Sequence, residues 1–337
     1  MKYCLFLMLE LSSMTYSSCF LYPVGFLHHR GSILFLKQES KNHTRLYMWH
    51  QHTKHLENIL WSLFNPGYIQ VLPDESGFSF LDNGRFRIQY FHRRSPKTID
   101  FDHYFYNMHG IHWINPQEFY FSAQAQHDHY ALFHSCVDGT TSCLISHNTY
   151  DCMYPQKVDN ELFFIKRIGD RHSIVHALFS FQHKNKTLDE LICFGHPIIF
   201  LSMQSPSEGF VIGHQNSWND NTSAITFYYY QIKKKKKIWK KSILFSFSIP
   251  AELVVGNSEN RLYESLLPVI PCVKGTKIYY VDSSESQHNT LELYVYNKKT
   301  ATIKKLCVPI RKRGHYYHLL VPLVMGNKCI IGGQLFC

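Results

Sequence analysis

Short apolar runs recur along the chain at a near-constant interval, and their internal pattern is that of strands. Seven segments heavy in Phe, Tyr and Ile begin at Ser32 (SILFLKQ), Gly77 (GFSFLD), Glu118 (EFYFSAQ), Glu161 (ELFFIKR), Gly209 (GFVIGHQ), Lys277 (KIYYVDS) and Lys328 (KCIIGGQ). Their spacings are about 45, 41, 43, 48, 68 and 51 residues. Each of the first six is followed by a run that alternates polar and apolar positions: RLYMWHQ, RFRIQYF, YALFHSC, VHALFSF, AITFYYY and LELYVYN. Alternation of this kind marks a half-buried strand. Another apolar run precedes each unit, among them GYIQVLP, GIHWIN, DCMYPQKV and HPIIFLSM. A period of ~40–50 residues with four strands per unit is the signature of a propeller blade.

The expected fold is therefore all-β, a β-propeller of four-stranded blades, six-bladed, with six complete units and a partial seventh from Leu319 to Gln334. Several first strands carry Pro. A central strand would lose a ladder hydrogen bond to it, whereas the innermost strand of a blade is a sheet edge and tolerates it. A β-sandwich pair is the structural alternative, and it accounts less well for the period. The long interval holds an apparent insertion around Lys233–Lys241. One domain is expected over 20–337. Phe80, Trp113, Tyr120, Phe121, Phe163, Phe164, Tyr279 and Ile330 are the expected core residues between blades.

Two local resemblances fit this frame. Leu72-Pro73-Asp74-Glu75-Ser76-Gly77-Phe78-Ser79-Phe80 resembles the Ser-Pro-Asp-Gly core of TolB-type propeller repeats. The stretch Ile111-His112-Trp113-Ile114-Asn115 through Phe119-Tyr120-Phe121-Ser122 is similar, with Trp113 at the blade aromatic. Leu72 departs from that pattern. The C-terminal Arg313-Gly314-His315, Gly326-Asn327-Lys328 and Ile330-Ile331-Gly332-Gly333 look kelch-like. The TolB-like resemblance implies a propeller and extracytoplasmic protein–protein binding, without naming a ligand.

Composition supports strands: the chain of 337 residues is 15% aromatic, with 25 Phe and 22 Tyr, and only 18% charged. The 35 Lys and Arg outnumber the 25 Asp and Glu for a net charge of +10, which draws anionic partners without specifying a fold. Met1-Lys2 and the apolar run Tyr3–Leu9, then Ser12–Cys19, resemble a secretory signal over 1–19, interrupted by Glu10. This points to a secreted or extracytoplasmic protein, with a cytoplasmic one as the alternative. No segment reaches the ~18 apolar residues of a membrane helix, so no transmembrane segment is expected. Ten scattered cysteines form no C-x-x-C pair, which leaves a zinc ribbon and a thioredoxin motif unsupported.

No Walker loop, dinucleotide fingerprint, zincin motif or nucleophile elbow occurs. His50, His52 and His55, and the pair His127 and His129, are arranged so that alternate histidines of a strand share a face, as metal ligands would. In a chain with 22 His such pairs also arise by chance, and neither a metal nor a cofactor is expected. Asp100, Asp102, Asp128, Asp138, Asp151, Asp159 and Asp170 read as turn formers, since Asp bonds its own backbone in turns. The basic residues are more distinctive. Lys233, Lys234, Lys235, Lys236, Lys237, Lys240 and Lys241 surround Trp239, and Arg85, Arg87, Arg93 and Arg94 make a second cluster. These are the candidate binding residues, for an anionic partner.

The function expected from sequence alone is a non-catalytic scaffold for protein–protein binding, a monomer and not an enzyme. Two alternatives stand beside it: a propeller hydrolase or lyase acting in the central channel, and a basic-surface binder of nucleic acid or anionic membrane. A cluster of acids and histidines near the channel would favour the enzyme.

Overall fold

The computed structural model describes residues 21–250, 272–311 and 323–336, apart from 28, 30, 41–42, 51, 54, 64–66, 83, 103, 125–128, 170–174, 183–184, 217–223, 285–286, 326–327 and 332–333. Every regular element in it is a strand. Blade 1 is β1 (Leu21–Leu27), β2 (Ser32–Ser40), β3 (His43–His50) and β4 (His55–Leu63). Blade 2 is β5 (Gly67–Val71), β6 (Gly77–Asp82), β7 (Arg85–Tyr90) and β8 (Lys97–Thr98). Blade 3 is β9 (Tyr106–Asn115), β10 (Glu118–Gln124), β11 (Ala131–Cys136) and β12 (Thr141–Ile145). Blade 4 is β13 (Tyr150–Val158), β14 (Glu161–Ile168), β15 (Val175–Gln182) and β16 (Thr187–Phe194). Blade 5 is β17 (Ile198–Ser205), β18 (Glu208–Asn216), β19 (Ala224–Lys235) and β20 (Ile238–Pro250). Blade 6 is β21 (Cys272–Lys274), β22 (Lys277–Ser284), β23 (Gln287–Asn297) and β24 (Thr302–Arg311).

In each blade the strands pair in chain order, as antiparallel meanders. The fold is a six-bladed β-propeller. A further three-stranded sheet, β25 (Leu323–Met325), β26 (Lys328–Ile331) and β27 (Gln334–Phe336), has its first strand beside β1 and β21. The partial seventh unit of the sequence is this three-stranded sheet. The second strands begin where the repeat places them; only β18 starts one residue early, at Glu208. No helix among the described residues is long and apolar enough to cross a membrane.

The described chain divides into two compact units. One comprises 1–71, 78–83 and 247–337, the other 72–77 and 84–246. Within the second unit the first strands β9, β13 and β17 lie side by side. Their approach is close: a Cβ on Gly110 would stand 3.1 Å from the Tyr154 Cα, and Gly110 has φ +60°. Only glycine meets both demands without strain. Pro155 sits at the bulge between Met153 and Gln156, where the ladder is already interrupted, so its missing N–H costs little.

The second unit buries its aromatic residues between blades. Trp113 packs on Phe119 and on Phe86 of blade 2, with ring centroids 4.8 and 6.2 Å apart. Phe101, Phe105, Phe121 and Phe133 extend the stack at 4.7–5.6 Å. Tyr120 with Leu162 and Phe164 joins blades 3 and 4, and Phe163 with Ile198 and Tyr230 joins blades 4 and 5. In the first unit, Phe80 and Phe78 are fully buried, and Tyr280 packs on Phe247 at 5.6 Å. Every expected core residue is buried except Ile330, whose side chain is outside the described residues.

The lysine-rich segment differs from expectation. It is not an insertion: Lys233–Lys235 end β19, Lys236 and Lys237 form a tight turn, and Lys240 and Lys241 belong to β20. The strands are long enough to carry the charges outward in a regular hairpin. The excess length of that repeat falls instead in 251–271, outside the described residues, as do the leader-like segment 1–19 and the kelch-like glycines.

Candidate functional site

At one end of blade 4, three polar residues stand side by side because register puts them there. Asp151 on β13 faces Arg167 on β14, and Arg167 faces His176 on β15. Cross-strand partners share a sheet face, so the row is contiguous. Asp151 is buried and forms an ion pair with Arg167, whose side chain is 29% exposed. The preceding blade contributes two donors to the same carboxylate: the backbone N–H of Tyr130 at 2.8 Å and His129 Nδ1 at 3.1 Å. The next blade contributes Ile198, whose backbone N–H donates to His176 Nδ1 at 3.0 Å. His214 of β18 adds its charge field at His176.

These bonds fix tautomers. His129 donates from Nδ1 to Asp151, which leaves the Nε2 lone pair on a side chain that is 35% exposed. His176 accepts at Nδ1, so its proton is on Nε2. Burial, then the Arg167 and His214 fields, push the His176 pKa down to about 4 against the opposing pull of Asp151. His176 is therefore neutral at pH 7, and its buried Nε2–H has no partner among the described residues. The result is a partly exposed imidazole oriented by a buried carboxylate, next to a partly exposed guanidinium. Such a set can take a proton from a bound molecule and neutralise an anionic group on it.

A second polar region lies at the opposite end of blades 3 and 4, a cavity of about 850 Å³. Glu118, Tyr120, His134, Lys157, Asp159 and Glu161 are among its walls. On β9, burial pulls the His112 pKa down, partly offset by its hydrogen bond to the Lys157 carbonyl at 3.3 Å.

The basic candidates from sequence are not brought into either region. Arg85 and Arg87 are on β7, while Arg93 and Arg94 are exposed in the turn after it. Arg93 lies 5.3 Å from the Tyr90 ring centroid. Lys234–Lys237 and Lys240 are exposed on the β19–β20 hairpin of blade 5. Lys233 pairs with Glu208 at 3.4 Å, and Lys241 donates to the Cys193 carbonyl at 2.5 Å. Trp239 is half-buried against Phe163, at 6.1 Å between rings, and so is a packing residue rather than a free stacking surface.

The histidine pairs also differ from expectation. His50 and His55 face each other across the β3–β4 ladder, with rings 6.4 Å apart, while His52 is exposed in the turn. His50 is engaged by Ser32 Oγ at 3.1 Å and Glu57 at 3.0 Å. His127, Asp128 and Asp170 lie outside the described residues. Asp138 does form a turn, accepting from the Thr140 N–H at 2.9 Å. Asp151 does not: it is the buried anchor of the row. Sequence reasoning did not single out Arg167, His176 or His214. The signal for the row was available in the strand alignment, since DCMYPQKV, ELFFIKRIG and VHALFSF place a charge or imidazole near the same end of consecutive strands.

No family model matches the chain, and no curated protein sequence is significantly similar. Solved structures do match. An oligogalacturonate lyase in complex with manganese shares 10% identity with a TM-score of 0.61, covering 94% of this chain and 88% of that one. One of two prolyl endopeptidases studied for inter-domain dynamics matches with 11% identity and a TM-score of 0.52, over 86% of this chain and 43% of that one. TolB from Acinetobacter baumannii matches with 10% identity and a TM-score of 0.47, over 77% and 58%. At these identities the likeness is one of fold. Two expectations, that the chain is a non-catalytic scaffold and that it is not an enzyme, are corrected here: structural neighbours of this fold, the lyase and the endopeptidase, are enzymes by name, which favours the enzyme alternative. Both rested on missing enzyme motifs.

Proposed function

We propose that the chain is a propeller enzyme of the lyase or hydrolase class acting on an anionic substrate, with its chemistry at the Asp151–Arg167 row beside the inner strand of blade 4. One observation carries this reading: His129 Nδ1 lies 3.1 Å from the buried Asp151 carboxylate, with Arg167 paired to the other oxygen. His129 Nε2 acts as general base. Arg167 receives the substrate's carboxylate, and that neutralisation makes the adjacent C–H acidic enough for His129 to remove its proton; the electron pair forms a C=C bond as the C–O bond on the next carbon breaks, and the leaving oxygen takes a proton from solvent. Asp151 holds the imidazole tautomer and stabilises the imidazolium once it forms. A general base in this position typically contributes 10²–10⁴-fold to rate.

The net charge of +10 and the exposed lysines of the β19–β20 hairpin support an anionic polymer as substrate, gathered electrostatically before it reaches the row. The oligogalacturonate lyase supports a uronate chain as the first substrate to try. Such a substrate, with the leader-like Met1–Cys19, supports action outside the cytoplasm. The test is turnover of oligogalacturonate, followed by the ultraviolet absorbance of the unsaturated product, with a proline-containing peptide as the hydrolase arm. His129→Gln is expected to lose at least ~100-fold in kcat while its melting curve stays close to wild type. Full activity in His129→Gln, or no turnover in either arm, would remove the proposal.

A further inference from the structure

Register builds a second polar constellation, on blade 3. Glu118 on β10 is the cross-strand partner of Cys136 on β11, and Tyr120 is the partner of His134. Residues two apart on a strand share a face, so Glu118, His134 and Cys136 project from the same side. A ligand atom from each lies within 4.8 Å of the others, and His134 Nε2 is 4.0 Å from the Glu118 carboxylate. All three side chains are partly exposed, and Glu118 and His134 line the cavity between blades 3 and 4. Asn115 Nδ2 donates to Glu118 Oε2 at 3.1 Å, and the Tyr120 ring lies 5.2 Å from that of His134.

We propose that Glu118, His134 and Cys136 form a divalent-metal site, selective for zinc, whose fourth position opens into the cavity. The donor set decides the metal. One thiolate, one imidazole and one carboxylate suit zinc, whereas a hard ion such as manganese disfavours sulfur. Tetrahedral bonds of 2.0–2.3 Å place ligand atoms about 3.4–3.8 Å apart, so closing from 4.8 Å takes roughly 1 Å of side-chain rotation. Partly exposed side chains make that movement without disturbing the core. Three protein ligands with an open fourth position form the pattern of a reactive zinc rather than a sealed structural one. Asn115 steadies the carboxylate as an outer partner.

This site is independent of the Asp151 row. The full chain, stripped with chelator, is titrated with zinc and, as a reporter, with cobalt(II), which gives a thiolate charge-transfer band when sulfur binds it. The expected result is one tight zinc per chain, a melting temperature raised by zinc, the cobalt band, and at most weak competition by manganese. Cys136→Ser should abolish the band, and Glu118→Gln and His134→Ala should each weaken zinc binding by about 10–100-fold. Exposed Cys143 and Cys193 offer a stray thiolate, so a band that persists in Cys136→Ser overturns the proposal. So does the absence of stoichiometric zinc, or manganese binding as tightly as zinc. Circular dichroism checks that Cys136→Ser folds; if it does not, the half-exposed Glu118→Gln decides, and unchanged affinity there is equally fatal.

Discussion

Blades 3 and 4 each carry a polar row set by antiparallel register, at opposite ends, and burial gives the two rows different characters. In blade 4, Asp151 is 2% exposed and every partner is fixed by a hydrogen bond or ion pair drawn from three consecutive blades. In blade 3, Glu118, His134 and Cys136 stay partly solvated and are held loosely. The first row is part of the fold, because the cost of burying its charges is offset only when all partners are present. The second is an adaptable set that a ligand can reorganise. The same pairing rule thus yields a preorganised site where water is excluded and an open binding site where it is not.

The sharpest contrast is between the two carboxylates. Asp151→Ala leaves Arg167 beside an uncompensated gap and strands the Tyr130 N–H and the His129 Nδ1–H. Breaking a buried pair by removing one partner costs about 3–5 kcal/mol. Glu118→Ala removes a solvated carboxylate and should cost under about 1 kcal/mol. Urea denaturation of both variants measures the difference. Equal losses would show that burial does not separate the rows.

His176 extends the contrast to pH. With its folded pKa near 4 and an ordinary value of 6.5, the unfolded chain takes up the proton first as pH falls. Stability from this group is complete above about pH 6.5 and is lost progressively between there and about 4. The shift corresponds to an amount of order 3 kcal/mol, about 1.4 kcal/mol per pH unit. His176→Gln should flatten that slope, since glutamine can accept from the Ile198 N–H without titrating. A wild-type stability curve that is level from pH 6.5 to 4.5 would mean that the imidazole is not held neutral.

Much of this architecture was legible in the residues. The period of the Phe- and Tyr-rich runs located the second strands to within a residue, because a strand buried between blades has to be apolar on both faces: Phe163 and Phe164 are both fully buried. Proline in first strands was legible too, since only an edge or a bulge accepts it. What failed was whatever depends on register between distant segments. Asp151 read as a turn former because no local feature tells that a histidine 22 residues before it and an arginine on the next strand will meet its carboxylate. Cys136, His134 and Glu118 are 18 residues apart in all, ordinary in sequence and adjacent only once the β10–β11 hairpin closes. The lysine run was misread for the opposite reason: its charge signalled a loop, but Ile238, Phe245 and Phe247 continue a strand pattern beyond it.

The smallest expected effect comes from that hairpin, and it tests whether surface charge behaves unlike either row. Lys235, Lys236, Lys237 and Lys240 are exposed, whereas Lys233 pairs with Glu208, Lys234 lies 5.9 Å from the Trp239 ring, and Lys241 donates to the Cys193 carbonyl. Replacing only the first four with Gln removes charge without removing those contacts. Surface substitutions of this kind stay within about 0.5 kcal/mol, and the loss of like-charge repulsion offsets part of any cost. Lys236 already has φ +54°, a left-handed backbone that glutamine tolerates no worse than lysine, so the turn itself is not the variable. The melting temperature should therefore be nearly unchanged, while the apparent KM for an anionic polymer rises at low ionic strength and converges with wild type at high salt, where a Debye length of a few ångströms already screens the lysines. A KM that is identical at every salt concentration would assign the hairpin to solvation alone and leave the Asp151 row to find its substrate without electrostatic help.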